Sequence, residues 1–441
     1  MSLTFDLRLL RQIFGSQARR NVAATGSASL VAAAVSLVAY AVNLRYLGLR
    51  SYGVWLALSF IVTLAQLGNL GMAPAVTKYV AEYFGKPEVE KVQQCIASAY
   101  LVTIGATLSL VVALTVLRGW VVGLLNLDPN TENMAITLVP WVAGLSAYTV
   151  LSQVSTAALS GLGRADLTAV LTAVGRLVAL AVAWGMLAAG EGLWSLVVGN
   201  FAGSLCTHLA AEWLVRQACP IRLLKRENFT SDGFRRLFVF GTGVVGSSLM
   251  QMLLGPLNRL LLTRFAGVES VPIFEVAWGA AMQVRSLLAS GLQALLPDFS
   301  RAASSGNHNR VRHLLRQAYK LLLAVGVPLY LGLFLAAKLV LGWWLGPGFD
   351  GHILPCFRVM LVGSFVSLLG VPAYFRLLGA GRVRDTFTAH FVQSGLSAAL
   401  AILFAWNGGL SPLLVCFAGT SAASAATVWL LFRGHCARKE T

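Results

Sequence analysis

Long apolar runs separated by short polar segments dominate the chain and set its class. Each run holds about 20 residues, which as a helix crosses roughly 30 Å of hydrocarbon. The pattern therefore predicts an all-α integral membrane protein with about twelve transmembrane helices. The predicted spans cover 22–46, 51–74, 94–117, 134–160, 167–189, 192–215, 238–264, 270–297, 315–337, 352–378, 386–406 and 410–432.

The composition agrees with this class. Hydrophobic residues make up 57% of the chain and charged residues 12%, whereas a soluble domain carries about 25% charged residues. A net charge of +17 would indicate nucleic-acid binding in a soluble protein. In a membrane protein the excess is better explained by basic loops that fix the topology. We therefore expect no nucleic-acid partner.

The distribution of Lys and Arg predicts that both termini are cytoplasmic. With the N-terminus inside, the inner segments hold 23 of the 34 Lys and Arg residues, as expected for cytoplasmic loops. The predicted organisation is a basic N-terminal segment, a six-helix lobe, a cytoplasmic linker, a second six-helix lobe and a cytoplasmic tail. These parts cover 1–21, 22–215, 216–237, 238–432 and 433–441.

Short motifs recur between the two lobes. Arg45–Gly48 has its counterpart in Arg264–Gly267 at an offset of 219, and Gly161–Arg164 has its counterpart in Gly379–Arg382 at an offset of 218. Matches at nearly one offset indicate a duplication. Because each lobe holds an even number of spans, the halves have the same orientation and are parallel repeats.

Polar side chains recur at helical spacing in several spans, and they predict a shared polar cavity because a polar stripe facing lipid is costly. Arg176 and Arg285 lie about nine and fifteen residues inside their spans, too deep to reach the interface easily. The alternative is that these arginines are structural and bond to helix carbonyls. The candidate substrate-binding residues are Arg176, Arg285, Arg259, Asn43, Gln66, Gln251, Asn258 and Gln393.

Two titratable residues within spans are candidates for binding a coupling ion. Glu275 lies about five residues inside the span 270–297, and His390 lies within the span 386–406. A desolvated Glu titrates at a raised pH and His titrates near neutrality. Glu275 is equally a candidate for a simple ion pair with Arg259.

Motifs of catalysis are missing from the sequence. It contains no Asp-x-Asp pair, no phosphate-binding P-loop and no HExxH zinc motif. The six cysteines form no CxxC pair and are interpreted as small packing residues. We therefore predict no enzymatic activity, no cofactor and no metal.

The segment from 43 to 84 resembles a known family. Its motifs Leu47–Gly48, Tyr52–Trp55, Gly68–Gly71 and Tyr79–Glu82 are similar to the N-terminal helix pair of bacterial polysaccharide-export flippases. That family belongs to the multidrug/oligosaccharidyl-lipid/polysaccharide (MOP) exporter superfamily. The resemblance implies the fold of these exporters, with two parallel six-helix halves and a substrate path between them.

The resemblance also implies a function. Such proteins flip a polyprenyl-diphosphate-linked oligosaccharide, the repeat unit of O-antigen or exopolysaccharide, across the bacterial inner membrane. The implied mechanism is alternating access driven by an ion gradient, with arginines neutralising the diphosphate. The implied partners are this lipid-linked oligosaccharide, membrane lipids and a polysaccharide polymerase, and the expected state is a monomer. The alternatives are a drug/cation antiporter of the same superfamily, or a membrane polymerase or glycosyltransferase.

Overall fold

Helices form the whole of the regular secondary structure in the part of the chain that the structure, a computed structural model, describes. This confirms the predicted all-α class. The described residues are 7–68, 72–84, 89–218, 254–293, 308–346, 349–379 and 382–436.

The described ranges contain fifteen helices. They are α1 (Leu7–Gly68), α2 (Met72–Phe84), α3 (Val89–Val116), α4 (Arg118–Gly123), α5 (Pro129–Gly161), α6 (Ala165–Ala188), α7 (Trp194–Ala218), α8 (254–266), α9 (Ser270–Gln293), α10 (His308–Leu335), α11 (Ala337–Leu345), α12 (Ile353–Leu369), α13 (Val371–Gly379), α14 (Val383–Trp406) and α15 (Pro412–Cys436).

Eight stretches of helix in the described ranges are long and apolar enough to cross a membrane. Their presence makes the chain a multi-pass membrane protein. α7 and α9 have 25 and 24 residues, but polar side chains keep them outside this set. The twelve-span count stays a prediction. The eight are Gly26–Ile61, Glu90–Val116, Pro129–Gly161, Ala165–Ala188, Asn309–Leu335, Ile353–Leu378, Arg384–Trp406 and Pro412–Arg433.

Two glycines in the repeated motif break the helical backbone at equivalent places. Gly48 divides α1 with a φ of 68° and a ψ of 175°, which is where the sequence places the end of the first span. Gly267, its counterpart, has a φ of 87° and lies just before α9. Glycine adopts positive φ without the steric cost that a Cβ imposes, so each motif ends in a backbone turn that favours glycine.

Helix bounds repeat at the same offsets as the motifs. α3 and α10 end at Val116 and Leu335, which are separated by the offset of the Arg45 motif. α6 and α14 both have 24 residues, and their starts are separated by the offset of the Gly161 motif. The starts of α7 and α15 are separated by the same offset. This recurrence of helix bounds supports an internal duplication. The arrangement of twelve spans in two parallel halves stays a prediction.

The helices cluster into two compact units, and α1 and α5 contribute residues to both. The lobes predicted at 22–215 and 238–432 stay a prediction. Unit 1 comprises Met1–Ala39, Leu64–Arg118 and Thr137–Gly246, and unit 2 comprises Tyr40–Thr63, Gly119–Ile136 and Ser247–Thr441.

Within unit 1, glycines allow α6 and α7 to pack closely. A Cβ built on Gly203 would meet the carbonyl oxygen of Gly175 and lie 2.8 Å from the Cβ of Ala179. A Cβ on Gly199 would lie 2.7 Å from the Ala179 carbonyl oxygen. Gly199 and Gly203 are four residues apart, the small-xxx-small spacing that lets membrane helices approach each other.

In unit 2, an ion pair joins α1 to the turn before α5. A guanidinium nitrogen of Arg50 donates to a carboxylate oxygen of Asp128, and the backbone N–H of Thr131 donates to the other oxygen at 3.4 Å. Hydrogen bonds from the Thr131 side chain and from Arg50 hold the pKa of Asp128 below its usual value, with a smaller contribution from the Thr131 backbone N–H. The turn is exposed, so the pair positions α5 but contributes little to stability.

Candidate functional site

Unit 2 contains a polar cavity among α8, α9, α12, α14 and α15. Its volume is about 260 Å³, and a second cavity of about 280 Å³ adjoins it. Both are lined by Arg285, Ser367, His390 and Gln393. Arg285 was predicted from its depth within one span, and His390 and Gln393 were predicted from one polar stripe on another helix, so the fold brings together residues that are distant in sequence.

Arg285 is the cation of this cavity. Its Nε donates a hydrogen bond to the Ser367 Oγ at 3.0 Å, and this is the one hydrogen bond to the guanidinium among the described residues. Two other lining groups, the amide oxygen of Asn258 and the hydroxyl of Ser397, are buried and have no hydrogen-bond partner in the described part. The cavity therefore presents an arginine and polar atoms that a ligand or water can satisfy.

Arg259 and Glu275 form a buried ion pair elsewhere in unit 2. The Arg259 Nε lies 2.6 Å from the Glu275 Oε1, and the Arg259 Nη1 donates to the Ser59 Oγ at 2.5 Å. The side chain of Glu275 is 2% exposed and that of Arg259 is 17% exposed. Each charge is thus neutralised by its partner, which matches the alternative role that the sequence allows for Glu275.

The remaining candidates lie apart from the cavity or outside the described residues. Asn43 is buried next to Tyr52 in unit 2. Arg176 lies on α6 in unit 1, where its side chain is exposed. The side chain of Gln66 and all of Gln251 lie outside the described residues.

Sequence reasoning missed a polar stripe on α7 in unit 1. It consists of Asn200, Ser204, His208, Glu212 and Arg216. The regular interval of four residues was a signal for it, but Glu212 lies near the predicted inner end of its span, where a charge needs no special explanation. The stripe became evident only through its partners on other helices.

Comparison with known proteins identifies the family. The model of a family described as polysaccharide biosynthesis protein matches residues 18–303. The chain belongs to this family. The match confirms the resemblance found in the segment from 43 to 84 and extends it over more than half of the chain.

Solved structures similar to this family member are membrane transporters of the MOP superfamily. An inward-facing multidrug resistance MATE family transporter matches with a TM-score of 0.78 and 13% identity, over 95% of this chain and 99% of the other. The lipid II flippase MurJ matches with a TM-score of 0.77 and 14% identity, over 93% of this chain and 87% of the other. These similarities establish an all-α membrane fold of the kind found in these transporters, and the arrangement of twelve spans in two parallel halves stays a prediction. None of the curated proteins matches the chain.

Proposed function

We propose that this chain flips a polyprenyl-diphosphate-linked oligosaccharide across the bacterial inner membrane. Membership of a polysaccharide biosynthesis family supports a role in polymer assembly. The fold shared with MATE transporters and with the lipid II flippase MurJ supports transport. The proposed cargo is the repeat unit of O-antigen or exopolysaccharide, released to a polysaccharide polymerase. The protein acts as a monomer with both termini in the cytoplasm.

The cavity around Arg285 is the observation that favours an anionic cargo. A half-buried guanidinium with one hydroxyl partner keeps N–H donors for a ligand, and a phosphate oxygen is the acceptor that best fits their planar fork. A drug/cation antiporter would instead need a carboxylate facing its ligand. The acid of unit 2 within the membrane, Glu275, is already neutralised by Arg259, so the cavity favours an anion over a cation.

The size of the cavity limits what Arg285 can hold. The two adjoining volumes, about 260 and 280 Å³, lie near the lower end of small-molecule pockets, about 300 Å³. Each suits a phosphate group or a single sugar and is too small for a whole oligosaccharide. We therefore assign Arg285 to the diphosphate or to one acidic sugar, with His390, Gln393 and Asn258 as neutral hydrogen-bonding groups.

Arg176 is the proposed second contact with the cargo. It is exposed on α6 and has no ion-pair partner among the described residues. An exposed arginine deep in an apolar helix is costly unless it faces water or an anion. The two arginines thus supply one cation from each unit. In this proposal the two arginines contact the cargo at different stages of alternating access.

Flipping by purified protein tests the proposal. Proteoliposomes carrying a fluorescent lipid-linked oligosaccharide are treated with a membrane-impermeant glycosidase, and the protected fraction is followed with time. We expect Arg285→Ala to slow flipping by roughly 10- to 100-fold, because a hydrogen bond to a charged group contributes about 1.5–3 kcal/mol. Arg285→Lys should recover part of the rate.

The matched control is Arg312→Ala, which removes an exposed arginine from the first turns of α10 in the same unit. It should leave the rate unchanged. Flipping by Arg285→Ala at the wild-type rate would refute the assignment of the cavity to the cargo. Failure of the wild type to move any lipid-linked oligosaccharide would refute the proposed function itself.

A further inference from the structure

The polar stripe on α7 extends along most of the helix. Asn200, Ser204, His208, Glu212 and Arg216 follow at intervals of four residues, so successive members lie about 40° apart around the helix and only neighbouring members share a face. Asn200 bonds to the Leu196 carbonyl oxygen of its own helix and Ser204 bonds to Thr149. The other three, His208, Glu212 and Arg216, cover about 12 Å of the helix at 1.5 Å per residue.

A chain of hydrogen bonds links the titratable members of the stripe. The Glu212 carboxylate accepts from the Arg216 Nε at 3.0 Å and from the Tyr100 hydroxyl at 3.0 Å. The Tyr100 hydroxyl lies 2.6 Å from the Ser155 Oγ, which lies 3.4 Å from the His208 Nδ1. An acid and an imidazole are thus connected through two hydroxyls, all within unit 1.

The duplicated helix shows that packing does not require this stripe. α15 begins at the position of the second half that is equivalent to the start of α7. Its residues at the five positions equivalent to the stripe are apolar or small, so a helix at this place in the repeat is formed without polar side chains at those positions. The equivalent residues are Ala418, Ala422, Ala426, Leu430 and Gly434.

The tyrosine, in contrast, is present in both halves. Tyr319, the counterpart of Tyr100 at the offset of the Arg45 motif, donates to the backbone carbonyl of Leu369 at 3.3 Å. In the second half the hydroxyl therefore has a structural partner, whereas in the first half it bonds to a carboxylate and a serine. The feature peculiar to unit 1 is the acid and the histidine.

We propose that the α7 stripe is a proton-binding site, with Glu212 and His208 as the groups that take up and release the proton. Glu212 reaches water through its neighbour Arg216, whose side chain is 60% exposed, while its own side chain is 13% exposed. A carboxylate in this position is shielded from bulk water and still lies one helical turn from it. It can therefore exchange protons with solvent.

Other titratable and charged groups around the pair come from four helices. α3 contributes Tyr100, and α5 contributes Tyr148, whose ring centroid lies 5.5 Å from that of the histidine. α7 contributes Arg216, which favours the ionised carboxylate. α6 packs on the neighbouring face of α7 and carries Asp166, which is itself ion-paired, and Arg176. Among the described residues the carboxylate is ion-paired with one guanidinium, that of the largely exposed Arg216.

The proton can move along this chain of hydrogen bonds while the number of covalent O–H and N–H bonds stays the same. Protonated Glu212 donates its proton to the oxygen of Tyr100 while the Tyr100 hydroxyl donates its own proton to Ser155. The Ser155 hydroxyl in turn donates to the Nδ1 of His208. The products are an ionised carboxylate and an imidazolium, and both hydroxyls are restored. The longest step is the 3.4 Å between Ser155 and His208.

Glu275 is less suited to this task. Its carboxylate bonds to Arg259 at 2.6 Å and is 2% exposed, so protonation would leave a buried guanidinium without its counter-charge. Glu212 has a hydroxyl and a screened guanidinium as partners, and both tolerate its neutralisation. If the chain is a flippase as proposed above, an imposed proton gradient acts at this site. This coupling role rests on the proposed function.

Infrared difference spectroscopy of the full chain in lipid nanodiscs tests proton binding directly. As the pH is lowered, we expect the difference spectrum to contain a carboxylic-acid band from protonated Glu212. The band should be lost in Glu212→Gln and retained in Glu191→Gln, an exposed acid of the same unit. Identical carboxylic-acid bands in Glu212→Gln and the wild type would overturn the proposal.

The tyrosine pair provides a second test that does not depend on removing the acid. Tyr100→Phe should shift the midpoint of the carboxyl band because Glu212 loses a hydrogen-bond donor. Tyr319→Phe, the equivalent change in the second half, should leave the midpoint in place. Equal midpoints in both variants and the wild type would overturn the role of the hydroxyl chain, even if Glu212→Gln fails to fold.

Flipping under an imposed pH gradient tests the coupling. We expect the gradient to accelerate flipping in the wild type and in Glu191→Gln, and to have no effect in Glu212→Gln. Equal acceleration in Glu212→Gln would overturn the coupling role. A wild type that moves no lipid-linked oligosaccharide would refute the proposed function but leave the infrared result intact, so the two failures are distinguishable.

Discussion

The ion pair between Arg259 and Glu275 allows a quantitative test of how unit 2 holds charge within the membrane. Removing one partner leaves the other charge buried, which costs about 3–5 kcal/mol in proteins. Glu275→Leu and Arg259→Met should each lower stability by about this amount. The double variant should recover most of the loss, because replacing a buried pair by apolar side chains is often neutral or stabilising.

Thermal unfolding of purified protein in one detergent, followed by tryptophan fluorescence, measures the order of apparent melting temperatures. We expect both single variants to melt well below the wild type and the double variant to approach it. Glu275→Gln should be intermediate, since its amide oxygen still accepts from Arg259. The control is Glu269→Leu, an exposed acid in the turn before α9. A melting temperature of Glu275→Leu equal to that of the Glu269→Leu control would refute the reasoning.

The same Glu275→Gln variant separates two roles of this acid. A carrier of the coupling ion would lose its response to a gradient when the carboxyl is replaced by an amide that cannot titrate. An ion-pair partner would lose stability and keep the pH profile of flipping. The closed geometry with Arg259 leads us to expect the second result. A flattened pH profile at normal stability would instead restore Glu275 as the carrier.

Three further predictions concern packing, pH and topology. Gly203→Ala should destabilise the protein, because the added Cβ meets Gly175 and Ala179. Gly185→Ala places its Cβ in open space and should be neutral or stabilise the helix by up to about 1 kcal/mol. The melting temperatures of both variants check this prediction. Because the pKa of Asp128 is lowered in the folded protein, its carboxylate stabilises the fold at pH values above its unfolded pKa of about 4. This stabilisation decreases as the pH falls toward the folded pKa, and Asp128→Asn should remove the contribution of Asp128 to the pH dependence of the melting temperature. A cysteine at position 130 should react with an impermeant maleimide from outside, and one at position 232 should not.

The fold class and the break in the helical backbone at Gly48 could be predicted because they depend on residues that are close in sequence. Apolar runs of about 20 residues determine an all-α membrane protein whatever their packing. The break at Gly48 follows from a repeated motif and from the freedom of glycine at positive φ. The offset between the motifs also predicted an internal repeat, which the matching helix bounds support.

The contents of the cavity could be predicted only in part. Arg285, His390 and Gln393 were candidates as separate polar positions, and the structure places them around one volume. Their convergence depends on how α9 and α14 pack, which spacing along one helix does not encode. Ser59 and Arg259 illustrate the same limit, because they are far apart in sequence and their hydrogen bond requires a tertiary contact.

The α7 stripe was missed because each member has an ordinary explanation by itself. Arg216 and Glu212 look like charges at a helix end, and a lone histidine attracts little notice. Their significance depends on Tyr100 and Ser155, which come from two other helices. A comparison of α7 with its repeat α15, made on the sequence alone, would have shown that one copy is polar where the other is apolar.

Divergence between duplicated helices separates the demands of the fold from those of function. Two copies whose helices begin or end at equivalent positions face similar packing constraints, so a charge present in one copy alone is a candidate for a functional role. At the offset of the Arg45 motif, Arg259 and Glu275 correspond to Tyr40 and Leu56 in the first half. The charges of α7 correspond to apolar or small residues of α15. Each half thus carries an acid with a basic partner that its copy lacks. In unit 2 the acid is closed against its arginine, and in unit 1 it is joined to a histidine through hydroxyls. We infer that the first arrangement fixes charge in place and the second moves it.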